Sequence, residues 1–145
     1  MAEVRKTAVT YTGNGSQKVF SFPFDYLQVT FVVAKINHVE LTYGLDYTVA
    51  DNEVTLTTAP ANGAVLDIYR RTSTTTMVSW TDGSVQRASD MSLAELQLLH
   101  IVEETADSLK GTTLILDEND GKWDARLHHI KNIGLEALST EDVFA

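Results

Sequence analysis

His100 and Glu104 stand four residues apart, the spacing that puts two metal ligands on one face of a helix. A zinc site of that kind needs a second histidine one turn away, and none is there, so a polar contact along the helix is expected instead. Asp117-Glu118-Asn119-Asp120-Gly121 has the composition of a calcium loop. Counted from Asp117, however, Gly121 falls at the fifth place and Lys122 takes the sixth, where an EF-hand needs its glycine; a polar turn is expected. Glu103 and Glu104 are neighbours on the chain, not two carboxyls facing each other across a cleft as glycoside hydrolysis requires. No serine lies in a G-x-S-x-G elbow, and no glycine-rich phosphate loop is present. His128 and His129 are adjacent, so an extended chain sends them to opposite sides as a solvated pair. Asn14-Gly15-Ser16 fits a glycosylation sequon but reads as a turn. Spacing therefore favours neither an enzyme nor a bound cofactor or metal.

Composition narrows the class. The chain has 145 residues, 43% of them hydrophobic, enough for one domain or one domain with an appendage. It has no cysteine, which removes disulfides and thiolate chemistry together. The start, MAEVRKTAVTYTG, lacks the apolar region of a signal peptide. No apolar run approaches the ~18 residues that cross a bilayer. A soluble, non-exported protein without membrane contact is the expectation. The net charge of −9 is uneven: residues 1–88 carry 7 Lys and Arg against 8 Asp and Glu, residues 89–145 carry 4 against 12. An acidic second part opposes nucleic-acid binding and suits a basic protein partner.

The elements that would position any site change character along the chain. Up to residue 70 the pattern is strands broken by turns. Thr7–Tyr11 alternates, Gly13-Asn14-Gly15-Ser16 is a turn cluster, and Val19–Phe22 resumes before Pro23. Phe31–Ile36, Asn37-His38 and Val39-Glu40-Leu41 read as a hairpin, as do Tyr47–Val49 and Val54–Leu56 around Asp51-Asn52. Val65–Tyr69 follows the turn at Gly63. Strands at about ten-residue spacing predict a mainly β domain, a small sandwich or barrel. A helix then follows, starting at Asp90 as cap or at Ser92 with Glu95 as a capping box, and ending at Gly111. Its apolar residues include Leu93, Leu96, Leu98, Leu99, Ile101, Val102, Ala106 and Leu109, more than one face holds. They are buried either within their own domain or against copies of the chain or a partner. Thr113–Leu116 is a possible strand, and Ile130–Ile133 a short extended piece.

Between sheet and helix lies YRRTSTTTMVSWTDGSVQRASD, with paired arginines, a hydroxyl-rich run and a strand-like stretch around Trp80. Arg70-Arg71-Thr72-Ser73-Thr74-Thr75, Trp80-Thr81-Asp82-Gly83-Ser84 and Arg87-Ala88-Ser89-Asp90 resemble the N-terminal domain of T7-type phage tail fibres. So do Gln97, His100 and Glu103-Glu104 on the helix. The same holds upstream for Phe22-Pro23-Phe24-Asp25-Tyr26-Leu27, Phe31-Val32-Val33 and Asp46-Tyr47. Downstream, Asn119-Asp120-Gly121, Asp124-Ala125-Arg126, Ile130 and Asn132 continue the likeness. The pieces are collinear and span nearly the whole chain. Asp90-Met91-Ser92 departs from the family's Asp-Leu-Asn but keeps capping chemistry.

The resemblance implies a structural virion protein. It would be a tail fibre anchor, or a stand-alone adaptor for a separate fibre or tailspike, assembled in the host bacterial cytoplasm and residing in the tail. Implied partners are further copies in a homotrimer, the tail adaptor and nozzle proteins, and a downstream fibre or tailspike. Residues 1–88 would be the anchor domain, 89–111 the trimer helix, and 112–145 a segment leading toward a shaft or partner. Arg70, Arg71, Thr72, Thr74, Asp82, Ser84 and Arg87 are the expected docking residues, since arginine forks carboxylates and exposed hydroxyls add donors. Leu96, Leu98, Leu99, Val102, Ala106 and Leu109 are the expected trimer contacts, with the acidic residues of the helix outside. Trp80 is expected in the core. The alternative is a small module binding host polysaccharide directly.

Overall fold

Residues alternating inward and outward build two facing antiparallel sheets. The computed structural model describes residues 6–112, 115–116 and 123–124. One sheet has the order β1-β7-β3-β4, from Ala8–Thr12, Val65–Arg70, Val32–Ile36 and Val39–Glu40. The other has the order β2-β6-β5, from Val19–Ser21, Glu53–Leu56 and Tyr47–Ala50. In the first sheet the register sets Val9 opposite Ile68 on one side and Ala34 opposite Ile68 on the other. In the second it pairs Tyr47 with Leu56 and Val49 with Val54. These residues point into a shared core with Phe20, Phe22 and Phe24, where the rings of Phe22 and Phe24 stack at 4.6 Å. The Tyr47 hydroxyl donates to the Val32 carbonyl at 2.8 Å, tying the sheets together, and burial pushes its pKa up.

The turns follow from the residues at their tips. Asn37 and His38 (φ 49° and 71°) and Asp51 and Asn52 (φ 48° and 59°) are left-handed pairs, as two-residue hairpins of matching twist demand. Asn37 further accepts the Val65 amide at 2.9 Å through Oδ1. At Gly13 a side chain is impossible, because a Cβ would lie 2.4 Å from the Ala61 carbonyl oxygen. The expected mainly β architecture and both hairpins are present.

Past β7 the structure departs from the sequence reading. Residues 71–87 contain no strand, and Trp80 is 42% exposed rather than in the core. Among the described residues no strand pairs with the stretch around it, and β propensity alone does not make a strand. Helix α1 spans Ala88–Thr112, beginning before either expected cap and running one residue past Gly111. Its first turn forms on the Arg87 carbonyl, which accepts the amides of Asp90 and Met91. Asp90 sits inside that turn, where its charge favours the positive helix end.

The chain divides into two units, residues 1–109 and 110–145. In the second, β8 (Ile115–Leu116) pairs antiparallel with β9 (Trp123–Asp124). The turn expected at Asp117–Gly121, the histidine pair and the extended piece at Ile130–Ile133 lie outside the described residues. Among the described residues no helix is long and apolar enough to cross a membrane.

Candidate docking site

Period two along β7 puts Leu66, Ile68 and Arg70 on the same inner face. Arg70 therefore ends a row of core residues, and its side chain is only 2% exposed. A buried guanidinium must have all its donors met. α1 supplies acceptors for three of them: Nε donates to Glu104 Oε1 at 2.8 Å, and Nη2 to Glu103 Oε2 at 2.7 Å and to the His100 carbonyl at 3.3 Å. Nη1 reaches the Asp25 carbonyl at 2.7 Å, so the FPF-x-YL segment also serves this contact.

The same face of α1 makes further polar links to the rest of the chain. Glu104 accepts the Thr72 amide at 2.9 Å and the Thr72 hydroxyl at 2.5 Å. Lys6 pairs with Glu103. Asp107 Oδ2 accepts the amide and hydroxyl of Thr7 at 2.6 and 2.8 Å. Gln97 accepts the Met77 amide at 3.0 Å and donates to the Ser73 and Thr75 carbonyls, both at 2.7 Å. Lys6 and then Arg70 hold the Glu103 carboxyl below its ordinary pKa by hydrogen bonding. Burial, then the charge of Arg70, pushes the pKa of His100 down, and among the described residues its buried Nδ1 has no hydrogen-bond partner.

α1 is thus inside out. Its buried residues are polar: Gln97, His100 and Asp107. The apolar residues that face away most are Leu98 and Val102, 66% and 64% exposed, while Leu93 and Ile101 are half-buried. At 3.6 residues per turn the two sets centre on opposite sides of the helix, roughly half a turn apart. The expectation that the acidic residues lie outside is corrected: Glu103, Glu104 and Asp107 face the sandwich, because Arg70, Lys6 and the Thr7 and Thr72 amides need acceptors there. Leu96, Leu98, Leu99, Val102, Ala106 and Leu109 are all exposed on this chain.

The expected docking residues separate into two groups. Arg70 and Thr72 are buried and occupied within the chain, so neither is presented to a partner. Arg71, Thr74, Asp82, Ser84 and Arg87 are exposed. Arg71 forks Glu40 at 2.7 and 3.1 Å, with side chains 58% and 43% exposed. An ion pair so exposed is screened by solvent and adds little to stability. Ser84 closes its own turn by accepting the Thr81 amide at 3.2 Å. Sequence reasoning missed Thr7 and Asp107, although the 3-4-3 spacing of Gln97, His100, Glu104 and Asp107 marks a polar helical stripe. Glu104 and His100 do not act as a ligand pair, since Glu104 turns to Arg70 and Thr72. Among the described residues no three His, Asp or Glu are grouped to hold a metal ion.

Comparison with known proteins shows the family. The family model described as phage T7 tail fibre protein, N-terminal domain, matches residues 1–125. The tail fiber proteins of Escherichia phage T7 and Enterobacteria phage T3 are each 40% identical over 141 residues, covering 92% of this chain and 25% of theirs. A capsule KL64-specific depolymerase of Klebsiella phage P510 is 33% identical over 149 residues, 99% of this chain and 14% of its own. The chain spans about a quarter or less of the length of these relatives. With the match covering both sheets and α1, the chain belongs to the family of phage T7 tail fibre N-terminal domains.

Proposed function

We propose that this chain is a structural, non-enzymatic component of a phage tail that fastens a receptor-binding fibre or tailspike to the virion. It does so as the N-terminal part of a fibre or as a stand-alone adaptor, seated at the adaptor and nozzle proteins of a short tail and assembled in the host cytoplasm. One observation carries the reading: the inside-out helix, whose polar side is bound within the chain while its apolar side is left for other molecules. Further copies of the chain cover that side in a homotrimer, with Leu98 and Val102 at the seam. The same stretch recurs in relatives named tail fiber protein and in relatives named for different capsules. A part shared by proteins of such different targets supports a common mounting role rather than a role in target chemistry.

Attachment is assigned to the exposed Arg71, Thr74, Asp82, Ser84 and Arg87 surface. The test is co-purification of the full chain with tail adaptor and nozzle proteins, and incorporation into virions. Arg71→Glu and Arg87→Glu are expected to reduce both while the domain stays folded; undiminished incorporation overturns the assignment. The alternative, direct polysaccharide binding through exposed Trp80, predicts signals on a glycan array, where the mounting reading expects none.

A further inference from the structure

The hydroxyl-rich loop Thr72–Met77 does not shape itself. Among the described residues no backbone–backbone hydrogen bond joins it to a strand; the last such bond runs from the Arg71 amide to the Phe31 carbonyl at 2.7 Å. Beyond Arg71 the backbone is held from α1. Glu104 takes the Thr72 amide, and Gln97 takes the Met77 amide and caps the Ser73 and Thr75 carbonyls. Gln97 is 5% exposed and uses three of its four hydrogen-bonding positions on one loop. The order of its amide atoms is fixed by this geometry. Two carbonyls require the NH2 and one N–H requires the oxygen, so a flipped amide would satisfy none of the three. Within the loop, the Ser73 Oγ accepts the Thr75 amide at 3.1 Å.

We propose that Gln97 is the positioning residue of this loop: the helix, through one side-chain amide, gives the attachment segment its shape, so the exposed hydroxyls of Thr74, Thr75 and Thr76 are placed only while α1 is seated. The proposal rests on the reading of this segment as part of the attachment surface. It makes attachment depend on a residue that touches no partner. Whatever holds α1 against the β unit, the Arg70 cluster included, also holds the loop. By linkage, a partner that binds the ordered loop strengthens the seating of α1.

Hydrogen exchange on the full chain, expressed as protection factors, tests the proposal. In Gln97→Leu the Met77 amide loses its acceptor, and its protection is expected to fall about tenfold while amides of β3 and β7 keep theirs. Gln97→Glu separates positioning from mere packing. As a carboxylate it faces two carbonyls without a donor, so the loop loosens at neutral pH. Protonated, it donates to one carbonyl while still accepting the Met77 amide, so protection recovers on acidification relative to the native chain at the same pH. Burial places that recovery above the ordinary glutamate range of about 4.3. The native chain is expected to show no such gain. Unchanged Met77 protection in Gln97→Leu, or no recovery with acid in Gln97→Glu, overturns the proposal. Co-purification with the tail proteins is read separately. Full attachment by a variant whose loop has loosened overturns the attachment reading, whereas an unloosened loop overturns the positioning role itself.

Discussion

Arg70 shows how one side chain can be misjudged from composition and understood from register. As an arginine beside another arginine it reads as an attachment point, yet its place as the sixth residue of β7 turns it inward. Its loss is expected to be severe, because Glu103 and Glu104 would stay largely covered with their main cation gone. Arg70→Met should lower unfolding stability by about 3 kcal/mol in urea denaturation. Arg70→Lys should recover only part of it, since one ammonium cannot reach four separated acceptors. His100 and Glu103 make the same junction sensitive to acid. Both have folded pKa values below their ordinary 6.5 and 4.5, so in each case the unfolded chain takes the proton first. Their contribution is complete above the ordinary values and is lost as pH falls, first through the His100 window and then through that of Glu103. The charges facing His100 are Arg70, Glu103, Glu104 and Asp25. His100→Gln is expected to flatten the fall in thermal midpoint between about pH 7 and 5 and leave the steeper fall below it. The polar stripe on α1 was legible in the sequence as spacing. Which way it faces was not, because that depends on where β7 delivers Arg70.

The elements divide by how local their causes are. Both hairpins were legible because Asn37-His38 and Asp51-Asn52 have the side chains that tolerate left-handed backbone. His38 is the less suited of the four, at φ 71°. His38→Gly is therefore expected to raise stability by about 0.5–1 kcal/mol, read as a higher urea midpoint at unchanged slope. Asn52→Val should do the opposite, since a β-branched residue resists φ 59°. The stretch around Trp80 was illegible for the complementary reason. Its residues favour strand, but a strand needs an edge to join, and nothing in the sequence says whether one is free. The orientation of α1 was illegible because apolar residues are ordinarily assumed to face the core of their own chain.

For the whole molecule, the proposed role of α1 as a seam between copies makes a prediction about association. Leu98→Asp or Val102→Asp is expected to convert the assembled protein to monomers in light scattering while the far-ultraviolet circular dichroism of the folded chain is retained. Both side chains are more than 60% exposed within the chain, so a charge there disturbs nothing inside it. An unchanged mass in solution would remove α1 from the seam. The family likeness was legible because it rests on collinear pieces spread along the chain, several of which now have physical reasons. The FPF-x-YL segment gives two core rings and the carbonyl that caps Arg70, and Asp46 accepts the Thr42 amide at 2.7 Å beside Tyr47.

The Arg70 junction also has a consequence for anyone building hybrid fibres from two phages. A splice at residue 88, where the loop after β7 gives way to helix, follows the secondary structure, but it takes the arginine from one parent and its two glutamates from the other. The lock and its key then come from different makers. Cutting after residue 109 keeps both in one piece and carries the exposed apolar side of α1 along with them. A pair of hybrids differing only in that choice of splice should differ in yield of folded protein, with the later cut the better.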